Sequence, residues 1–293
     1  MKIIDCFMYF DEDMMLDVRL NILNKFVSNF VICEASYNHK GIKKELKFDI
    51  NKFSKFKDKI IYLPLEKQPN NLREFKKDDT EHLRNSKTLD NSLIRENFQR
   101  NHLANGLDKF SDNDLIIIND LDEIPNLENF KYRKKITMFN QQMFYYKFNL
   151  IYPNFSWTGS KICKKKYLIN PQWLRNVKAK NYSFWRFDTL FSKKKYRDIQ
   201  FINNGGWHFT NLKSAEDIDH KMNNFLHHLE YEKSGLTVED IKKNILEKKV
   251  IYDHFADKRT DKVKSTGRPE KININKLPEY ISVNYNKFKD WID

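Results

Sequence analysis

Cysteine is scarce in this sequence, and long apolar runs are absent from it. Cys6, Cys33 and Cys163 follow no spacing typical of a disulfide framework or a zinc site, which favours a reducing compartment. No stretch approaches the roughly 18–20 apolar residues that a transmembrane helix needs. The first residues enter a predicted strand directly, without the apolar core of a signal peptide. We therefore expect a cytoplasmic protein that is either soluble or peripheral at the inner face of a membrane.

The two signs of charge are unbalanced, with 53 Lys and Arg against 40 Asp and Glu and a formal net charge of +13. Such an excess attracts an anionic partner, for example nucleic acid, a membrane surface or a phosphorylated substrate. It also arises when a lysine-rich composition is spread over a whole surface. The basic residues are dispersed, and the runs 164–166 and 193–195 are short. We expect no specific nucleic-acid partner.

Apolar runs and helical patterns alternate in the first 125 residues. The runs lie at 2–10, 29–35, 59–65 and 114–119. Met15, Val18 and Ile22 recur at helical spacing and predict a helix after the first run, and residues 88–107 predict a second one. The charged stretch 66–87 predicts mainly a loop. Strands that are apolar throughout and separated by helices are typical of an α/β fold with a mainly parallel sheet covered on both faces.

The second half of the sequence has a different pattern. Residues 135–149 are aromatic and strand-like, and residues 157–163 predict a strand that pairs with them. Further along, helical patterns preceded by capping residues dominate. We therefore expect a catalytic core over residues 1–212 and a helical C-terminal extension, 213–293, packed on that core.

The strongest candidate site is an acidic turn, Asp120-Leu121-Asp122-Glu123, directly after the fourth apolar run. In open parallel sheets, ligands bind beyond the carboxyl ends of the strands. Asp120 and Asp122 can converge there on one hard cation such as Mg²⁺ or Mn²⁺, with substrate phosphates completing its shell. Polar residues also end strands without any further role. Both interpretations are open on the residues alone.

Six segments in order carry a resemblance to a known family. The segment Asn119–Pro125 (NDLDEIP) resembles the hallmark of glycosyltransferase family 17, which includes the β-1,4-mannosyl-glycoprotein N-acetylglucosaminyltransferase that adds bisecting GlcNAc. The other five segments resemble motifs of that family and begin FDEDMMLDVRL at 10, FVICEAS at 30, GIKKELKF at 41, RENFQRN at 95 and GWHF at 206. Asp13 and Ala35 depart from the family pattern, and the sequence shows no anchor or stem like those of the Golgi members. These departures leave the acceptor open.

The resemblance implies a GT-A-like single domain with a Rossmann-like sheet flanked by helices. Its nucleotide-sugar half would span about residues 1–125 and its acceptor half about 126–212. The donor would be a nucleotide sugar, UDP-GlcNAc in characterised members, and the cofactor a divalent metal, Mn²⁺ or Mg²⁺. The acceptor would be a glycan or a lipid-linked glycan, and the reaction would invert the anomeric carbon.

Roles for the metal and donor follow from this chemistry, because the leaving diphosphate develops negative charge that a metal neutralises. We expect Asp122 to be a direct metal ligand and Asp120 a metal ligand or a contact to the donor ribose. His208 is a further candidate metal ligand or a hydrogen-bond donor to phosphate. It is equally compatible with a core position between two aromatic residues. The glycines before His208 permit a close approach of the backbone.

Two acids are candidates for the general base that an inverting reaction requires on the acceptor side, namely Asp188 and Glu123. Donor contacts are expected from Glu34, with a loop anchor as its alternative role. Arg95 and Arg100 are expected to contact the pyrophosphate, since arginine forks match phosphate oxygens; an ion pair with Glu96 is the alternative. Arg19 is expected to be structural, and the tryptophans 157, 185 and 207 are candidates to stack on sugar faces.

Two other functions also use clustered acids or a basic surface. A metal-dependent phosphoryl transferase or nuclease predicts a second cluster of acids or histidines for a second metal, and the sequence shows no such cluster. A nucleic-acid-binding protein predicts a concentrated basic stripe, whereas the charge here is spread. The sequence therefore favours the glycosyltransferase.

Overall fold

The computed structural model describes residues 1–225, 228–252 and 267–293, which form one α/β domain. The strands are β1 Ile3–Tyr9, β2 Asn29–Ala35, β3 Ile60–Leu65, β4 Leu115–Asn119, β5 Glu123–Pro125, β6 Ile136–Tyr145, β7 Leu150–Lys164, β8 Ile199–Ile202, β9 Gly206–Thr210 and β10 Glu270–Lys271. The helices are α1 Asp13–Leu23, α2 Glu81–His102, α3 Pro171–Asn176, α4 Ala215–Asn224, α5 His228–Ser234, α6 Val238–Leu246, α7 Glu279–Val283 and α8 Tyr285–Phe288.

The sheet is mixed, in the order β3-β2-β1-β4-β7-β6-β9-β5. Strands β3, β2, β1 and β4 are parallel to one another, as predicted for the first half of the chain. Strand β7 runs antiparallel to both β4 and β6, and β5 runs antiparallel to β9. The prediction of a mainly parallel sheet is therefore wrong. A short connection joins β6 to β7, and short connections make antiparallel hairpins rather than parallel crossovers.

Helices cover the parallel half of the sheet on both faces. On one face, Leu16 and Leu20 of α1 pack against Phe7 and Ile117 of the sheet. On the other face, Leu103, which directly follows α2, packs with apolar side chains of β1, β2 and β4. Because both faces are buried, these strands read as continuous apolar runs. All three cysteines are buried as free thiols among the apolar side chains on this second face.

The second helix begins earlier than predicted. It starts at Glu81, where the Thr80 side chain accepts a hydrogen bond from the Leu83 amide at 3.3 Å, and it ends at His102. Residues 66–87 were expected to be loop with some frayed helix, and the last seven of them belong to α2. A polar ion pair between Lys87 and Asp79, at 2.6 Å, is buried beside this first part of the helix. Because this part of the helix buries polar side chains, its sequence shows no apolar periodicity from which a helix could be predicted.

The predicted C-terminal extension contacts the sheet in two places. Helices α4, α5 and α6 pack with Met143 and Tyr145 of β6. Strand β10 pairs with the start of β7, and Phe288 packs edge-on against Phe148. Residues 226–227 and 253–266 of this extension lie outside the described residues, and the boundary at residue 212 stays a prediction. Among the helices that the structure describes, none is both long and apolar enough to cross a bilayer.

Candidate functional site

A cavity of about 460 Å³ opens at the carboxyl ends of β1, β2 and β4. Asp11 after β1, Asn38 after β2 and Asp122 after β4 line it, together with Lys221 of α4. Ligands of open α/β sheets bind at this edge because the loops after parallel strands meet there. The structure therefore places the acidic turn where the sequence predicted a site.

The backbone of the acidic turn is held from behind by Arg19 of α1. Its guanidinium is fully buried and forms an ion pair with Asp5 of β1 at 2.7 Å. It also donates to the carbonyl oxygens of Asp120, Leu121 and Glu123 at 3.2, 3.0 and 2.7 Å. A charged fork with satisfied donors fixes the turn in one shape. Arg19 thus has the structural position expected for it.

Asp120 is held by two arginines, one on each carboxylate oxygen. Arg100 of α2 donates to Oδ1 at 2.9 Å, and Arg175 of α3 donates to Oδ2 at 2.8 Å. Burial would by itself raise the pKa of Asp120, but the charges of Arg175 and Arg100 outweigh it and hold that pKa below its usual value. Asp120 is therefore an anionic link between α2, α3 and the turn.

Asp122 faces a different environment, with one oxygen toward each of two nitrogen groups. The Nε2 atom of His208 lies 3.6 Å from Oδ1, and the ammonium of Lys221 lies 3.6 Å from Oδ2. Burial would raise the pKa of Asp122, but His208 and Lys221 together hold it well below the usual range. The same pairing, with Glu12 and Asp120 nearby, raises the pKa of Lys221 against its burial. Asp122 is thus anionic and open to a ligand in the cavity.

Glu123 is almost fully buried and accepts four hydrogen bonds. Arg175 donates to both of its oxygens at 2.7 and 3.0 Å, the Trp157 indole donates to Oε1 at 2.6 Å, and the Asp120 amide donates to Oε2 at 2.9 Å. A side chain at Gly159 would collide with this carboxylate. The carboxylate therefore fits only because glycine occupies that position in β7.

His208 reaches the acidic turn because β9 pairs with β5, in a register that sets it opposite Glu123. The approach is close at Gly206, which has φ +129° and where a Cβ would collide with the Ile124 carbonyl. The Trp157 ring lies against the imidazole, with centroids 5.2 Å apart. Within the described residues, the Nδ1 atom of His208 is buried without a hydrogen-bond partner. His208 is thus buried beside an aromatic ring and also faces Asp122, and its role toward a metal or a phosphate stays a prediction.

Glu34 is not among the residues that line the cavity. Its carboxylate accepts hydrogen bonds from the Lys44 ammonium at 2.5 Å, the Lys47 and Phe48 amides at 2.8 and 3.0 Å, and the Tyr62 hydroxyl at 3.0 Å. These contacts fasten the segment after β2 to the sheet. They match the loop-anchor alternative, and a donor contact from Glu34 stays a prediction.

The two arginines predicted for the pyrophosphate lie on α2 but differ in their contacts. Arg95 donates to the Gln68 side chain at 2.9 Å and to the His39 carbonyl at 3.2 Å, and burial lowers its pKa. Arg100 pairs with Glu96 at 2.9 Å, as the alternative reading expected, and also with Asp120. Neither lines the cavity.

Asp188 lies apart from the acidic turn, in the loop between α3 and β8. Its side chain is 41% exposed and pairs with Arg186 at 2.8 Å and Lys195 at 2.6 Å. These two cations hold the pKa of Asp188 well below its usual range. The structure therefore separates the two predicted base candidates, since Glu123 lines the cavity and Asp188 does not.

Two important residues were not predicted as site residues. Arg175 pairs with both Asp120 and Glu123 from a six-residue helix, and the sequence offers no local signal for that role. Lys221 lies in the last turn of α4 and faces Asp122. The segment Glu216–Lys221, which follows GWHF, also resembles the family pattern, and that resemblance was the available signal.

Asp122 and His208 are the described pair that best fits a divalent cation. Their Oδ1 and Nε2 atoms lie 3.6 Å apart, and a carboxylate and an imidazole are both groups that would hold such a cation. Within the part of the chain that the structure describes, no group of three His, Cys, Asp or Glu side chains is placed to hold a metal ion. A cation here would take two protein ligands and need phosphate oxygens or water for the rest of its shell.

The model of the family described as glycosyltransferase family 17 matches residues 1–292, essentially the whole chain. The chain belongs to glycosyltransferase family 17. This confirms the resemblance, and it makes the protein a glycosyltransferase that takes a sugar donor and a glycan acceptor. No curated protein matches the chain with statistical significance.

The cavity of this family 17 glycosyltransferase has cations on its walls as well as acids. Lys213 lines it and pairs with Asp11 at 2.7 Å, and Lys44 lines it near Phe10, with its ammonium 5.0 Å from the ring centroid. Of these three cations, only Lys221 faces the acidic turn, because Lys213 pairs with Asp11 and Lys44 pairs with Glu34 at 2.5 Å.

Proposed function

We propose that the protein is a metal-dependent inverting glycosyltransferase that moves GlcNAc from UDP-GlcNAc to a glycan hydroxyl. The observation that carries the proposal is the Asp122 carboxylate, which faces His208 and Lys221 in a cavity at the carboxyl ends of parallel strands. The donor and the inverting course are inferred from the family resemblance. A glycan or lipid-linked glycan at the cytoplasmic face of a membrane is the acceptor we favour.

In this proposal, Asp122 and His208 would hold Mn²⁺ or Mg²⁺. When bound, the metal supplies Lewis-acid stabilisation of the charge that develops on the leaving diphosphate. Lys221 and Lys213 line the same cavity and would bind phosphate oxygens. Asp120 would act mainly by orienting the turn, because both of its oxygens already accept from arginines.

The general base must lie on the acceptor side and take the proton of the attacking hydroxyl. Position favours Glu123 over Asp188, since Glu123 lines the cavity. In this role, its carboxylate would exchange a hydrogen bond from Arg175 or Trp157 for one from the acceptor hydroxyl. Trp157 lies beside both Glu123 and His208, where a flat ring would support a sugar face.

The direct test measures Mn²⁺-dependent release of UDP from UDP-GlcNAc, with and without glycan acceptors. We expect Asp122→Ala to lower turnover by roughly 10²–10³-fold, the loss seen when one electrostatic stabiliser of a developing charge is removed. Chelation should abolish activity, and added Mn²⁺ should restore it. Asp58→Ala, a change at an exposed acid away from the cavity, is the matched control and should match the wild type. Equal turnover by Asp122→Ala and the wild type would contradict the proposal.

A further inference from the structure

A loop on the surface carries an unusual density of exposed apolar side chains. The aromatic loop, residues 178–198 between α3 and β8, exposes five of them within eight residues, namely Phe184 (73%), Trp185 (76%), Phe187 (63%), Leu190 (66%) and Phe191 (90%). Single exposed apolar residues are ordinary on protein surfaces, but a contiguous group of this size marks an interaction site. None of the five lines the donor cavity.

The polar groups of the aromatic loop bond mostly within the loop. Asp188 is paired with Arg186 and Lys195, and Arg197 donates to the Thr189 hydroxyl at 2.7 Å and to the Arg186 carbonyl at 2.6 Å. The loop is thus held in a defined shape by its own polar network, while its large apolar side chains face outward. This arrangement is the reverse of an ordinary water-exposed loop, and it costs free energy unless an apolar environment covers the tip.

The charge around these aromatic side chains favours an anionic partner. The loop contains seven Lys and Arg side chains but two acids, which gives it a net charge of +5. Lys193 and Lys194 are exposed beside Phe191. Aromatic side chains at a tip with lysines and arginines behind them match the boundary of an anionic bilayer, where rings enter the headgroup region and cations meet lipid phosphates.

We propose that the aromatic loop docks the enzyme on an anionic membrane surface. The loop is connected to the site through α3, because Arg175, which pairs with the acidic turn, lies three residues before the loop begins. The Trp173 indole also donates to the Lys193 carbonyl at 2.7 Å and so joins α3 to the loop. Vesicle binding requires no donor or acceptor, so its failure and the failure of the proposed glycosyl transfer are distinguishable.

The test is flotation of the full chain with phosphatidylcholine vesicles, with or without about 30% phosphatidylglycerol, at low and at high salt. We expect binding to the anionic vesicles alone and its loss at high salt. Trp185→Ser combined with Phe191→Ser should weaken binding at least tenfold. Lys193→Gln combined with Lys194→Gln should weaken it by about fivefold per lysine. Leu246→Ser combined with Val283→Ser, at exposed apolar sites elsewhere (82% and 70%), should bind like the wild type.

A second readout keeps the proposal testable if a serine variant folds poorly. Brominated lipids quench a tryptophan that enters the bilayer, so wild-type fluorescence should fall on vesicle binding and Trp185→Phe should show a much smaller loss. Absence of wild-type binding, equal binding by the loop variants, or equal quenching with Trp185→Phe would overturn the proposal. A loop-dependent dimer in light scattering without vesicle binding would overturn it too, in favour of a second copy as the partner.

Discussion

At the scale of single residues, Asp120 and Asp122 are separated only by Leu121, but their side chains have different neighbours. Asp120 receives two guanidinium groups at 2.9 and 2.8 Å, whereas Asp122 faces one imidazole and one ammonium at 3.6 Å. Arginine forks bind carboxylates tightly and hold them in place. We therefore assign Asp120 to the framework of the turn and Asp122 to the ligand.

Loss of Arg175 should cost several kcal/mol of stability. In Arg175→Met, Glu123 would keep its buried charge and lose its ion-pair partner, and Asp120 would lose one of two. Removing one partner of a buried pair costs about 3–5 kcal/mol. Urea unfolding should show that loss, while Arg133→Met, at an exposed position, should change the free energy of unfolding by less than about 0.5 kcal/mol. A loss of less than about 1 kcal/mol for Arg175→Met would contradict the assigned role.

The sequence predicts the residues that face the cavity better than it predicts the residues that hold them in place. An apolar strand followed by acids locates the acidic turn, and the glycines before His208 indicate a close approach. Arg175 lies 52 residues from Glu123 along the chain, and no periodicity shows that its short helix packs under the turn. Glu34 likewise follows a strand, but its partners depend on how the next segment folds back.

At the scale of elements, the prediction succeeded for strand positions and failed for strand directions. The runs at 2–10, 29–35, 59–65 and 114–119 all became strands of the parallel half. An apolar run shows that a strand is buried on both faces, but it does not show which way its neighbour runs. The β6–β7 hairpin lies next to β4 and makes the sheet mixed.

Lys161 joins two elements, β7 and the end of α3. Its ammonium donates to the carbonyl oxygens of Arg175, at 2.5 Å, and Val177, at 2.7 Å. Burial, together with the nearby charge of Arg175, lowers the pKa of Lys161 to about 7 from an ordinary 10.5. This lysine therefore exchanges its proton near neutral pH only while the protein is folded.

Stability should consequently depend on pH through Lys161. Between about pH 7 and 10.5 the unfolded chain holds a proton that the folded chain has released, so the free energy of unfolding rises with pH there, by at most about 1.4 kcal/mol per pH unit. Below pH 7 both states are protonated and this contribution is flat. Urea unfolding from pH 6 to 9 should show the rise in wild type and in the exposed control Lys134→Met, and a smaller rise in Lys161→Met. If the free energy of unfolding rises equally with pH in Lys161→Met and in the wild type, Lys161 is not the source of the pH dependence.

At the scale of the whole molecule, the last residues of the chain belong to the main core. Leu277, Ile281 and Phe288 are buried with Phe148 and the side chains of α1. The sequence predicts that the extension packs on the core, but not that its end returns to β7, because β10 has only two residues. Short strands carry too little alternation to be recognised.

Phe288→Ala should therefore destabilise the entire domain rather than only its end. Phe288 is 1% exposed and contacts Phe148 and Tyr280, and removing a buried phenylalanine costs about 3–5 kcal/mol. Thermal unfolding followed by circular dichroism should show one transition at lower temperature. Tyr285→Ala, at a side chain that is 49% exposed, is the control with little expected change. Two separate transitions would indicate that the end folds as an independent unit.

The link between Arg19 and the acidic turn also bears on how donor choice can change. Arginine keeps its proton at every physiological pH, and its partner Asp5 is fully buried, so this wall of the cavity cannot adapt without exposing a buried charge. Lys221 of α4, by contrast, is held by its ion pair with Asp122 and by contact with the Phe225 ring, and its side chain is 20% exposed. Under the proposed function, a change of donor would therefore arise more readily by substitutions in α4 than by substitutions in the turn.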